Sequence, residues 1–190
     1  LGIGTGFFTE KLLISYPNAM VVGLDGASAM IDLAKERLGE LAERVDFRVG
    51  DFRDVPSILS DVSDVDIILT SFALHHLDRD EKTECLRYLC SILNPGGWFL
   101  NADLVVDSSE LIVRRIQEIR ADGIVLRSGS LDEHFKDRRS TMLHLHEMES
   151  NEMDKPLQWR EDIDVLKEVG FSEVSILWKE YREMVSCGRK

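Results

Sequence analysis

The sequence is poor in cysteine and positive charge and has no long apolar run, and each shortage removes a class of protein. Its three cysteines, Cys85, Cys90 and Cys187, are odd in number and fit no metal or redox spacing. Reduced thiols are therefore expected, with Cys85 and Cys90 packed on a helix, in place of a disulfide frame. Lysine and arginine number 23 against 35 acidic side chains, for a net charge of −12 over 190 residues. That balance opposes a phosphate backbone and supplies no general electrostatic footprint for nucleic acid. No stretch approaches the roughly 18 apolar residues of a bilayer span, and no signal peptide is visible, so a cytoplasmic chain is the expectation. The length suits one domain with a single buried core.

A strand is also missing ahead of the first motif. Leu1-Gly2-Ile3-Gly4-Thr5-Gly6 is a glycine-rich turn at the very start, so a short segment carrying most of a first strand is expected upstream. Glycines at alternate positions let the backbone turn sharply and admit a ligand where a Cβ would collide. The helix expected after Gly6 would turn its free N–H groups toward that ligand. A dinucleotide fingerprint wants glycine at position 7, where Phe7 stands, which argues against a dehydrogenase. The apolar residues 20–24 then end in Asp25, roughly 20 residues past the turn, where the second strand of such a sheet delivers a carboxylate to an adenosine ribose. The bland alternative is that Asp25 caps a helix starting near Ser28.

Farther on, strand and helix patterns alternate. Residues 7–15 carry apolar positions 8, 12 and 13 on one helical face, and residues 28–41 turn Met30, Leu33, Ala34, Leu38 and Leu41 inward. Val45, Phe47 and Val49 alternate as in a half-exposed strand near a sheet edge. Residues 65–69 read as a central parallel strand covered on both faces, and residues 80–93 as a helix. Asn94-Pro95-Gly96-Gly97 reads as a turn before a fifth strand over residues 98–104. This alternation predicts a doubly wound α/β sheet. It stops after Asp107, and residues 107–156 read as an inserted, charged helical region broken by Gly123, Gly129 and a turn near Asn151. A helix over residues 157–169 and two strands around a tight turn close the chain, the last strand antiparallel.

Five elements in order resemble the class I S-adenosylmethionine-dependent methyltransferases: the glycine turn, Gly23-Leu24-Asp25, Gly50-Asp51-Phe52, Ser71-Phe72-Ala73-Leu74-His75-His76-Leu77 and Leu93-Asn94-Pro95-Gly96-Gly97. The resemblance covers residues 1–104. It implies a doubly wound, mostly parallel seven-stranded sheet of order 3-2-1-4-5-7-6, last strand antiparallel and strand one largely outside this chain. Residues 1–190 would form a single domain with an inserted helical lid at about 107–156. For the cofactor it implies Gly2, Gly4 and Gly6 at the methionine portion, Asp25 at the ribose hydroxyls and Met30 against adenine. Asp51 would accept from the adenine amino group while the Phe52 N–H donates to the ring. Ser71 and Phe72 would face the amino group and sulfonium.

Transfer from a sulfonium asks mainly for positioning. Where the acceptor carries a proton a base helps, and His75 and His76, just past strand four, are the catalytic candidates; the alternative is that they pack against the cofactor or start the next helix. His144-Leu145-His146-Glu147 gathers three potential ligands with nothing nearby to complete a closed site, so no metal is assigned. Arg138-Arg139-Ser140-Thr141-Met142-Leu143 and Glu168-Val169-Gly170-Phe171, followed by Trp178, resemble the wobble-uridine tRNA carboxymethyl-transfer enzymes. That resemblance implies Arg139 at the extra carboxylate of carboxy-S-adenosylmethionine, beside the reading of a surface salt bridge. The Gly4-Thr5-Gly6 turn belongs to ordinary S-adenosylmethionine users, and the acidic balance disfavours tRNA. The expected function is methyl transfer, in line, to a small-molecule acceptor. The alternatives are a tRNA-modifying methyl- or carboxymethyl-transferase and a non-catalytic cofactor-binding protein; neither nucleic acid nor membrane is an expected partner.

Overall fold

The computed structural model describes residues 1–128, 132–151 and 154–190. The first half alternates α1 (Phe7–Ser15), β1 (Val21–Asp25), α2 (Ser28–Leu38), β2 (Val45–Val49), the short α3 (Val55–Ile58), β3 (Val65–Ser71), α4 (Arg79–Ile92) and β4 (Leu93–Leu104). Two helices, α5 (Glu110–Ser128) and α6 (Arg138–Asn151), follow, and then α7 (Trp159–Glu168), β5 (Ser172–Glu180) and β6 (Glu183–Arg189). Among the described residues no helix is long and apolar enough to cross a membrane.

The strands form two sheets, a parallel β1-β2 pair and a four-stranded sheet of order β3-β4-β6-β5. In the larger sheet β3 and β4 are parallel, and β6 runs antiparallel to both its neighbours. The start of the chain lies between the sheets. The Leu1 nitrogen donates to the Leu69 carbonyl of β3 at 2.8 Å, and the Ile3 N–H donates to the Leu24 carbonyl of β1 at 3.0 Å. These two bonds fix the glycine turn at the carboxyl ends of β1 and β3, where open α/β sheets bind ligands.

The larger core joins Leu24, Ile68 and Phe99 of the sheets to Leu86 and Leu89 of α4 and Val165 and Leu166 of α7. Cys85 and Cys90 of α4 both enter this core, and all three cysteines are buried and free. A smaller core sets Leu13 and Leu38, from α1 and α2, against Val45. Asp78 caps α4 in a reciprocal box with Glu81, which starts that helix one residue earlier than its apolar pattern suggests.

Several expectations are corrected. On α2 the buried stripe is Ile31, Ala34 and Leu38, with Met30 and Leu33 exposed, because the three- and four-residue spacing that reaches the sheet starts at 31. On α1, Thr9 and Leu13 face inward and Phe8 is exposed. β3 is not covered on both faces, since Ile67 is exposed while Ile68 is buried. The Asn94-Pro95-Gly96-Gly97 segment lies within β4 as an irregularity: Val65 pairs with Leu93 and Ile67 with Trp98, so the extra residues loop out of the ladder. Lys190 holds that loop, its N–H donating to the Gly97 carbonyl and its Nζ to the Leu93 carbonyl at 2.6 Å. Gly123 does not break the inserted region but sits inside α5, where its helix-forming neighbours outweigh a penalty of about 1 kcal/mol. Gly129 lies outside the described residues.

The chain returns beside the end of β4 after α5 and α6. The Val106 N–H donates to the Leu157 carbonyl at 3.0 Å and the Trp159 N–H to the Val106 carbonyl at 3.1 Å. Val106 is thus tied to Leu157 and Trp159, and between these positions α5 packs against α6.

Candidate functional site

All three turn glycines are left-handed, with φ of +61° at Gly2, +54° at Gly4 and +76° at Gly6. They serve different ends. A Cβ on Gly2 would stand 2.7 Å from that of Ala73, whereas at Gly4 nothing lies nearer than 4.0 Å. Gly2 is demanded by packing, and Gly4 leaves room for a ligand. The Gly2 position also falls within 3.8 Å of the Phe52 ring and 3.7 Å of the Ser71 carbonyl, so the turn, the end of β3 and the Asp51-Phe52 element meet there. α1 starts at once after Gly6 without a side-chain cap, which leaves its first N–H groups free for an anionic group.

Asp25, at the end of β1, is the staple of this corner. Its Oδ2 accepts from the Gly4 N–H at 2.8 Å and its Oδ1 from the Ala27 N–H at 3.0 Å. Each carboxylate oxygen retains acceptor capacity for a further donor. α2 begins with Ala27 as its N-cap and no side-chain cap bond, so Asp25 is not a helix cap there.

A cleft of about 130 Å³ opens beside it, lined by Gly26, Gly50, Asp51, Phe52, Arg53, His76 and Leu77. Asp51 accepts from the Arg53 N–H and from Arg53 Nη1, both at 2.8 Å, while Arg53 Nε donates to Glu81 at 2.7 Å. Arg53 was not singled out from the sequence, because nothing local marks an arginine after Asp51-Phe52 as part of a site. Its hydrogen bond holds the Glu81 carboxyl down at about 2. Met30, exposed on the first turn of α2, does not line this cleft. Ser71 ends β3, and Phe72 follows in the left-handed region at φ +49°, its N–H donating to the Ala102 carbonyl at 2.8 Å and its ring 54% exposed. A bulky residue held there stores strain of the kind found at ligand clamps.

The two histidines occupy a short turn after β3. They are not equivalent. His75 is 4% exposed, and its Nδ1 lies 2.5 Å from Asp103 Oδ1 on β4. Its Nε2 stands 3.4 Å from Asp154 Oδ1, and the same oxygen is 3.4 Å from Nδ1 of the half-exposed His76. Asp154 is held over them by its neighbour, since the Lys155 N–H donates to the His75 carbonyl at 2.7 Å. Neither Asp103 nor Asp154 was identified from the sequence. Asp103 left a trace, an acid in a largely apolar strand at the inward parity of Phe99 and Asn101. Asp154 left none.

Arg139 lies elsewhere, in a groove of about 710 Å³ between α5 and α6 that shares no lining residue with the cleft. Arg114, Arg120 and Arg138 line the same groove, paired with Glu118, Glu149 and Asp122 respectively. Arg139 has no ion-pair partner among the described residues. His144 stacks on His134 with ring centroids 4.3 Å apart, and His146 lines the groove.

Residues 1–97 match a family described as a methyltransferase domain. An uncharacterized methyltransferase of Bacillus licheniformis is 32% identical over 135 residues, covering 70% of this chain and 60% of that protein. Among solved structures, an O-methyltransferase family protein from Burkholderia thailandensis superposes with a TM-score of 0.68 at 15% identity, over 100% of this chain and 49% of that one. Human N-acetylserotonin methyltransferase, in complex with S-adenosylmethionine, gives 0.61 at 17% identity, over 100% and 46%. The chain thus spans about 60% of the curated relative's length and about half of each structural neighbour's.

Proposed function

The chain belongs to the methyltransferase-domain family, and on that premise we propose that it transfers a methyl group from S-adenosylmethionine to a small-molecule acceptor. The observation that carries the reading is the Asp25 carboxylate, stapled to the Gly4 N–H across the glycine turn and still able to accept from ribose hydroxyls. The residues fit the cofactor. Gly4 leaves open space, the start of α1 offers uncapped N–H groups, and Asp51 and Phe52 line the adjoining cleft.

S-adenosylmethionine supplies a methyl group already activated by its sulfonium, so the protein's share is orientation. Gly2, Gly4 and Gly6 would surround the methionine portion and Asp25 would hold the ribose. Asp51 and Phe52 would form the adenine side and Ser71 and Phe72 would stand at the amino group, while Met30, exposed on α2 and outside that cleft, would meet adenine only from its open side. An acceptor that carries a proton gives it up toward the corner of His75 and His76. The small-molecule class is supported by the neighbouring fold named for N-acetylserotonin and by the net charge of −12, which repels nucleic acid. On the same reading, residues 1–3 are the end of strand one in a sheet of order 3-2-1-4-5-7-6, supported by their bonds to β1 and β3. Residues 107–156 then form the lid over the acceptor.

The test is calorimetric titration with S-adenosylhomocysteine, followed by turnover assays with a panel of small hydroxyl and amine acceptors. Binding with turnover supports the reading. Binding without turnover across the panel points to a non-catalytic cofactor-binding protein, and absence of binding overturns the cofactor assignment.

A further inference from the structure

We propose that His75, His76 and Asp154 form a site for a divalent metal ion of the zinc class, with Asp103 orienting His75 from behind. The three donor atoms lie within 4.8 Å of one another, and Asp154 Oδ1 stands 3.4 Å from both His75 Nε2 and His76 Nδ1. A tetrahedral ion held at about 2.0–2.1 Å from nitrogen and oxygen ligands sets those ligands about 3.3–3.4 Å apart. Two of the three edges have that length, and the third, between the two histidines, lies within 4.8 Å and closes to the same length by rotation of the half-exposed His76 ring when the ion binds. A charged hydrogen bond would instead close to about 2.7–2.9 Å.

Two further observations point into the same gap. The Asp154 side chain is 5% exposed, yet its Oδ1 has no hydrogen-bond partner, a costly state for a buried carboxylate oxygen. The second is the tautomer. Asp103 Oδ1 lies 2.5 Å from His75 Nδ1, so in the neutral ring that nitrogen carries the proton and Nε2, the atom that faces Asp154, carries the lone pair. Lone pairs on an imidazole nitrogen and a carboxylate oxygen repel at that distance, and a cation between them turns repulsion into ligation. The carboxylate behind His75 is the usual outer-shell partner of a metal-binding histidine.

Two imidazoles and one carboxylate suit zinc, cobalt or iron over magnesium or calcium. Three protein ligands leave a position open. Only His76 of the three is substantially exposed, and it lines the cleft with Asp51 and Phe52, so the open position faces that side. A water or acceptor hydroxyl bound there would lose its proton more readily than it does free, and with both imidazoles committed to the ion that proton would pass to solvent in place of the histidines. That last consequence rests on the methyl-transfer reading; metal binding itself does not.

The full chain, stripped with a chelator, is titrated with Zn²⁺ by calorimetry and with Co²⁺ by visible absorption. One ion per chain is expected, with a four-coordinate Co²⁺ spectrum. His76→Ala, at a half-exposed position, and Asp154→Asn should each weaken Zn²⁺ binding by about 10-fold or more, and Asp103→Asn by about 10–100-fold with unchanged stoichiometry, with circular dichroism as the check on folding. No Zn²⁺ binding by the wild type, or equal affinity in wild type, His76→Ala and Asp154→Asn, overturns the site. S-adenosylhomocysteine titrations of the same samples separate the two readings: site-dependent Zn²⁺ binding without nucleoside binding supports the metal site while overturning methyl transfer.

Discussion

Lys82 Nζ stands 2.7 Å from Asp162 Oδ1 with both side chains out of water, so that α4 and α7 are joined by an ion pair inside the core. Removing one partner leaves the other charged and unpaired, at a cost of about 3–5 kcal/mol. Lys82→Met and Asp162→Ala should each lower the urea-unfolding free energy by about that much. The double variant should cost well below their sum, because the pair's own desolvation penalty disappears with it. Additive losses would show that the two charges do not compensate each other.

Gly2 and Gly4 share a left-handed backbone but differ in what a Cβ would meet, and alanine at each position separates folding from binding. Both substitutions carry the left-handed penalty of about 1–2 kcal/mol. At Gly2 the 2.7 Å approach to Ala73 adds a clash that neither backbone can relieve. Gly2→Ala should therefore be the more destabilised in thermal unfolding. Gly4→Ala should keep more of its stability and still lose S-adenosylhomocysteine affinity, since its methyl group occupies the open space. Equal stability losses would contradict this division of roles.

For Asp25, replacement by alanine removes the acceptor for the ribose together with the bond to the Gly4 N–H. The affinity for S-adenosylhomocysteine should fall by about 1.5–3 kcal/mol, the range for hydrogen bonds to a charged group. Calorimetry measures it, with circular dichroism as the check on folding. Unchanged affinity in a folded variant would remove Asp25 from the site.

Burial pushes the Cys85 thiol up to about 12 from an ordinary value of 9.0. The unfolded chain loses this proton above pH 9, while the folded chain keeps it to about pH 12. In that window the unfolded state binds fewer protons, so stability falls as pH rises, by roughly 1.4 kcal/mol per pH unit from this group. The contribution is complete below pH 9 and lost as pH climbs through about 12. Cys85→Ala should flatten the alkaline limb of the stability curve relative to wild type. Identical slopes in the two proteins would show that the thiol ionises when folded.

What was legible in the sequence was local. The glycine turn, the apolar run ending in Asp25 and the Gly50-Asp51-Phe52 element are each read within a few residues, and the fold brings them to one edge. The His75 corner depends on partners brought in by the parallel pairing of β3 with β4 and by the return of the inserted segment at Leu157. No periodicity encodes that meeting. Lys82 shows the intermediate case: a charge in the helical register of Leu86 and Leu89 is visibly out of place, but its partner is 80 residues away. Gly123 and the segment Asn94-Pro95-Gly96-Gly97 misled for the opposite reason, because surrounding helix and ladder bonds overrode their local preference for a break.

Arg139 poses the remaining question of acceptor charge. Arg114, Arg120 and Arg138 in the groove between α5 and α6 each have a carboxylate partner, Glu118 and Glu149 being shared with Arg115 and Arg182, whereas Arg139 has no ion-pair partner among the described residues. A planar fork with five donors binds a carboxylate bidentately, and lysine keeps the charge but loses that geometry. If the groove receives the acceptor, Arg139→Ala should raise KM for anionic acceptors about tenfold or more, with neutral acceptors unaffected and Arg139→Lys between the two. The tenfold figure corresponds to about 1.4 kcal/mol, within the range of one charged hydrogen bond. Because the groove shares no lining residue with the cleft beside Asp25, S-adenosylhomocysteine affinity should stay constant through the series. A shift in affinity for the carboxylated cofactor, with acceptor KM unchanged, would move Arg139 to the cofactor side and favour the carboxymethyl-transfer kinship. Identical behaviour of all three proteins would assign it to the solvated surface.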